Sequence, residues 1–190
     1  MRLFAGLGNP GPAHAAQRHN VGFRAVEAIH DAHGFLPWRA RFHGAVSEGR
    51  LAGRRVMLLK PMTFMNESGR SVGEAMRWLK LPPEALTVFH DELDLPPFRV
   101  KAKLGGGHAG HNGLRSIDRH VGPAYVRVRI GIGHPGDRAR VTGHVLGAWT
   151  AAEEAELARL LEDLAALAPL LAEGDLARFL SDLARRRQEA

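Results

Sequence analysis

At 190 residues, 45% apolar and 24% charged, the chain has the size and composition of one globular domain with a sizeable core. The absence of cysteine excludes a thiol nucleophile, a disulfide framework and cysteine-ligated zinc, and no apolar run reaches membrane-spanning length. The net charge is +6, and only Lys60, Lys80, Lys101 and Lys103 among the 26 Lys plus Arg are lysine; this favours a polyanionic partner, because guanidinium forks suit phosphate oxygens.

Leu3-Phe4-Ala5 predicts a short strand running into the loop Gly6-Leu7-Gly8-Asn9-Pro10-Gly11. The loop reads as G-x-G-x-x-G, the dinucleotide fingerprint, with Glu27 at about the distance of a ribose-binding acid. Pro10 and Pro12, however, interrupt the turn whose amides hold a pyrophosphate, and Glu27 falls within the next helix. The loop is therefore read as a rigid platform for Asn9. Met1 leads straight into this strand, so the sequence predicts no signal peptide and a cytoplasmic protein.

Val21, Phe23, Val26, Ile29 and Ala32 recur at helical spacing up to Gly34. From Arg39 to Leu59 the pattern shortens to a hairpin, with its turn at Leu51-Ala52-Gly53 and its end at Lys60-Pro61. A second helix is predicted from Asn66 to Lys80, with Asn66 as its N-cap and Pro82-Pro83 closing it off. Leu86 to Phe89 reads as a buried strand delivering His90-Asp91-Glu92 at its carboxyl end, and Arg99 to Leu104 as another strand. The loop Gly105 to Gly113, a helix from Leu114 to His120 and the strand Tyr125 to Ile132 follow. Residues 134–149 read as irregular. Thr150 starts an Ala/Leu/Glu-rich helix with a break expected near Pro169, and Gly174-Asp175 separates it from a final helix ending in Arg185-Arg186-Arg187. This interleaving predicts a single α/β domain over 1–190 with a mixed, mostly parallel sheet.

Reactive groups gather where strands and helices meet the glycine loops: Asn9 and His19, Asn66, Asp91, His111 and Asn112. Ligands of layered α/β proteins sit outside the carboxyl ends of strands, so these segments are expected to converge. Histidine titrates nearest neutral pH, and an aspartate on its second nitrogen fixes the tautomer, which makes His19 with Asp91 the preferred base and orienting acid. No G-x-S-x-G serine elbow exists, leaving water as the natural nucleophile, with the carboxamides of Asn9, Asn66 and Asn112 as neutral donors. His90-Asp91 and His108 with His111 invite a metal reading, yet no H-E-x-x-H occurs, and no metal or cofactor is expected. Met62 and Met65 read as core or pocket wall.

The stretches GLGNPG at 6–11, RHNVGF at 18–23, KPMTFMNESG at 60–69, HDELDLPP at 90–97, KLGGGHAGHNGL at 103–114 and RIGIGHPGD at 129–137 together resemble the bacterial type of peptidyl-tRNA hydrolase. The resemblance implies a three-layer α/β/α domain, monomeric and free of cofactors, that cleaves the ester joining a peptide to the 3′ ribose of tRNA. It implies His19 as general base, Asp91 as its partner and Asn9 beside them. Asn66, Asn112, Met65, Phe64, His111 and His14 are implied around the substrate, and Lys103 and Arg129 at tRNA phosphates. Residues 134–149 are implied as a mobile cover and 150–190 as C-terminal helices. His14 and His144 stand where the family usually has aromatic residues. A non-catalytic RNA- or ribosome-binding protein on the same fold is the alternative.

Overall fold

The computed structural model describes residues 1–189. Seven strands, β1 (Arg2–Gly6), β2 (Arg39–Arg41), β3 (Gly44–Leu51), β4 (Arg54–Pro61), β5 (Leu86–Glu92), β6 (Val100–Leu104) and β7 (Val126–Gly131), form one sheet in the order β2-β3-β4-β1-β5-β7-β6. The expected parallel pairing holds for the central strands β4, β1, β5 and β7, while β2-β3, β3-β4 and β6-β7 pair antiparallel. Central parallel strands are covered on both faces, which explains the unbroken apolar run Leu3-Phe4-Ala5 in β1. Helices α1 (Val21–His33), α5 (Ala151–Glu173) and α6 (Leu176–Glu189) pack on one face against Phe4, Phe89 and Val128. Helices α2 (Ser68–Leu79) and α3 (Asn112–Val121) cover the other, against Leu3, Ala5 and Val88. The three-layer expectation is met.

Four boundaries differ from the sequence reading. Asn66 is not the N-cap of α2: it lies in a single turn, Met65–Glu67, and Glu67 holds the cap position. Helix α3 begins at Asn112, two residues earlier than expected, because the His111 side chain accepts the backbone N–H groups of Gly113 and Leu114. The irregular stretch contains a single turn, Arg138–Arg140, and helix α4 (Val141–Leu146). Helix α5 runs through Pro169 without a break. A proline at 169 deprives the Ala165 carbonyl of its usual donor, and His33 Nε2 of α1 supplies one at 2.7 Å. The ends of α5 follow the sequence: Thr150 and Glu153 form a capping box, and Gly174 is left-handed at φ 79°.

Candidate active site

Backbone closeness at the end of β1 sets the site. A Cβ on Gly6 would lie 2.1 Å from the Gly22 carbonyl oxygen, and one on Gly22 would lie 2.3 Å from that of Phe89. Only glycine lets the strand end, the start of α1 and β5 meet this closely. Two amides of the loop are taken by neighbouring segments: Leu7 N–H donates to Phe89 O at 3.0 Å, and Asn9 N–H to Asn20 Oδ1 at 2.9 Å. The glycines of the apparent fingerprint thus serve packing, and no row of amides is left to cradle a pyrophosphate.

Asn20 Nδ2 donates back to Asn9 O at 2.9 Å, so one buried asparagine clamps both backbone groups of the other. Asn9 Oδ1 in turn accepts the Met65 N–H at 2.9 Å. With its oxygen committed, Asn9 is left with its amide N–H groups to present as donors to the cleft it lines.

Asp91 stands at the end of β5, 4% exposed, between two imidazoles. Its Oδ2 accepts from His19 Nδ1 at 2.8 Å and its Oδ1 from His111 Nε2 at 2.8 Å. Hydrogen-bond partners fix both tautomers. His111 Nδ1 accepts the N–H of Gly113 at 3.1 Å and of Leu114 at 3.3 Å, so its proton resides on Nε2. His19 donates through Nδ1, which leaves the lone pair of its neutral ring on Nε2. Burial by itself would raise the Asp91 carboxyl, but the neighbouring charges of His111 and His19 and the bonds from both outweigh it and hold the group well below the usual carboxylate range.

These groups line a cleft of about 710 Å³. The expected residues Asn9, His19, Phe64, Met65, Asn66, Asp91, His111 and Asn112 all face it. Gly113 allows the α3 terminus to approach, since a Cβ there would meet Met65 Sδ at 2.7 Å. His14 does not line this cleft; it sits on the separate single turn Pro12–His14. Lys103 on β6 and Arg129 on β7 lie outside the cleft, toward the sheet edge, with Arg129 Nη1 3.9 Å from Glu92 Oε1 at the rim.

One wall of the cleft is α4, through Val141, Thr142, Val145 and Leu146. Arg18, next to His19, holds this segment: its N–H donates to Gly147 O at 2.9 Å and its Nη1 to His144 O at 3.1 Å. His144 Nε2 donates to Ile132 O at 2.9 Å, so this ring pins the segment to the sheet. A ligand atom from each of His19, Asp91 and His111 lies within 4.8 Å of the others, a donor set chemically able to hold a metal ion. Asp91 Oδ2 and Oδ1 already accept from His19 Nδ1 and His111 Nε2, and an ion held through those atoms would have to displace both bonds.

A family model described as peptidyl-tRNA hydrolase matches residues 3–190. The chain belongs to the peptidyl-tRNA hydrolase family. It is 58% identical over 190 residues to the peptidyl-tRNA hydrolase of Novosphingobium aromaticivorans, covering 100% of both chains. With that of Paracoccus denitrificans it shares 61% identity over 186 residues, covering 98% of this chain and 79% of the relative. The crystal structure of peptidyl-tRNA hydrolase from Acinetobacter baumannii superposes with a TM-score of 0.91 at 42% identity, covering 96% of this chain and 94% of that one.

Within this peptidyl-tRNA hydrolase framework, Asn20 and Arg18 were given no role by the sequence, and His90 was weighed only as a metal ligand. Asn20 and Arg18 flank His19, and that adjacency was the available signal. His90 is 1% exposed and donates through Nδ1 to Asp91 O at 2.8 Å. Desolvation first, then the charge of His111, lowers its pKa from 6.5 to about 3. The unfolded chain therefore takes up this proton before the folded one, so stability present above pH 6.5 is lost as pH falls from 6.5 toward 3. His90→Asn keeps a donor for Asp91 O and removes the titration. Urea unfolding across pH 6.5 to about 4 is expected to show the slope of stability against pH reduced by up to one proton, ~1.4 kcal/mol per pH unit. An unchanged slope would contradict this account of His90.

Proposed function

We propose that the protein hydrolyses the ester between the peptide and the 3′ ribose of peptidyl-tRNA, releasing free peptide and tRNA. The observation carrying this reading is the oriented set His111–Asp91–His19, whose bare His19 Nε2 lies among carboxamides in an open cleft. In the proposed reaction His19 Nε2 takes a proton from water as the oxygen attacks the ester carbonyl. Asp91 stabilises the imidazolium formed, and amide N–H groups of Asn9, Asn66 and Asn112 receive the developing oxyanion or the substrate's own carbonyls. Collapse of the tetrahedral adduct breaks the bond to the ribose oxygen, and the proton on His19 passes to that leaving oxygen. No covalent enzyme intermediate is needed.

Lys103 and Arg129 are assigned to tRNA phosphates, in keeping with the charge of +6 and with their place beyond the cleft. Helix α4 is assigned as a cover that admits substrate, its apolar side on the cleft and its ends tethered by Arg18 and His144. The protein is taken to act as a cytoplasmic monomer, because all groups of the proposed site come from one chain and the substrate is a product of translation. Among the described residues no helix is long and apolar enough to cross a membrane.

The purified protein is expected to release N-acetyl-amino acid from N-acetyl-aminoacyl-tRNA, to act weakly on aminoacyl-tRNA lacking the N-acyl carbonyl, and to keep full activity after chelator treatment. Failure to release the N-acetylated group would overturn the reading, and loss of activity with chelator would revive a metal at His19, Asp91 and His111.

A further inference from the structure

We infer that a second groove, between β2 and the start of α2, holds the peptide moiety of the substrate several residues upstream of the ester, an inference that rests on the function proposed above. This groove, of about 920 Å³, is separate from the cleft but shares a wall with it. Phe64 lines both, and Pro10, adjacent to Asn9, lines the groove. A chain leaving the cleft past Phe64 meets the groove next.

The order of the sheet assigns the occupant. Lys103 and Arg129 lie on β6 and β7 at one edge, Asp91 on β5 in the middle, and the groove borders β2, β3 and the end of β4 at the opposite edge. An ester has two sides. With the RNA directed toward β6 and β7, the acyl side is directed toward β2, which favours peptide over nucleic acid as the occupant despite the arginines there.

The lining suits a chain of variable sequence. Met62 is 45% exposed and Phe64 is 69% exposed, and an apolar side chain left this open beside a cleft is a contact surface rather than core. Trp38 adds a third apolar wall, and Ala40, Gly44 and Ala45 keep part of the lining low. The Thr63 hydroxyl is buried without a partner among the described residues, which leaves it for a peptide N–H or carbonyl. The charged lining is mixed but mostly positive. Arg39 reaches Glu48 at 3.6 Å, Arg41 stacks over Phe42 and Trp78, Arg70 Nη2 lies 3.3 Å from His43 Nε2, and Glu67 opposes them. Stacking planes and a weak positive field accept most side chains and prefer acidic and apolar ones over basic ones.

Two substrates separate this site from the catalytic one: N-acetyl-aminoacyl-tRNA, too short to reach the groove, and tRNA carrying an N-acetylated hexapeptide, which spans about 20 Å when extended. Ala40→Trp fills the groove and Arg70→Glu reverses charge at its rim, both at exposed positions outside the catalytic set. Each variant is expected to lower kcat/KM for the hexapeptidyl substrate by about tenfold, mainly through KM, and to leave the short substrate within about twofold. The short substrate also reports folding, and if Ala40→Trp is damaged overall, Arg70→Glu decides. Equal losses on both substrates by Arg70→Glu would mean that the groove holds RNA, and no loss on either would mean that it holds nothing; both outcomes overturn the inference. Wild-type protein inactive on both substrates would instead overturn the proposed hydrolysis itself.

Discussion

Asp91→Asn is expected to lower kcat by about 10⁴-fold while leaving the fold intact. The loss follows from which partner claims the one remaining oxygen. His111 has no choice of tautomer, because its Nδ1 already accepts two backbone N–H groups at the start of α3, so its Nε2–H must find an acceptor. The asparagine oxygen therefore turns to His111, and its NH₂ group faces His19. Facing a donor, His19 Nδ1 becomes an acceptor, and its proton moves to Nε2, the atom that has to take a proton from water. A ring of the right shape then carries its proton on the wrong nitrogen. Single-turnover release of N-acetyl-amino acid measures the effect, and thermal melting checks the fold. Activity within tenfold of wild type would show that the carboxylate does not set the His19 tautomer.

His19→Ala is expected to cost about 10²–10⁴-fold in kcat, the usual contribution of a general base, with little change in KM. The His19 side chain, 13% exposed, belongs to neither apolar cluster of the core, so stability is expected to fall less than activity. Because Asp91 acts through His19, the double variant His19→Ala/Asp91→Asn is expected to be no slower than the slower single variant. Multiplicative losses would mean that Asp91 has a separate role in the reaction. Full activity in His19→Ala would remove the proposed base outright.

Much of this site was legible before any coordinates. His19 and Asp91 are far apart in the chain, yet each follows a strand or loop that layered α/β proteins place at the carboxyl ends of the strands, and they meet at 2.8 Å. His111 was legible as a residue near the substrate but not as the partner of Asp91, because one ring nitrogen answers to the backbone of α3 and the other to β5, and only the packed layers bring those together. His14 is close to His19 in sequence, but it sits on its own short turn and does not line the cleft. Helix α4 is six residues long, too short for periodicity to reveal. The expected break at Pro169 failed because the missing donor comes from His33, 132 residues away from the Ala165 carbonyl that needs it. Local rules identified the defect correctly; a distant side chain repairs it.

One imidazole thus serves two masters: His111 closes the first turn of α3 and steadies the acid behind the base. Opening this turn would loosen Asp91 from His111 at the same moment, so the cap of the helix and the footing of the catalytic acid stand or fall together.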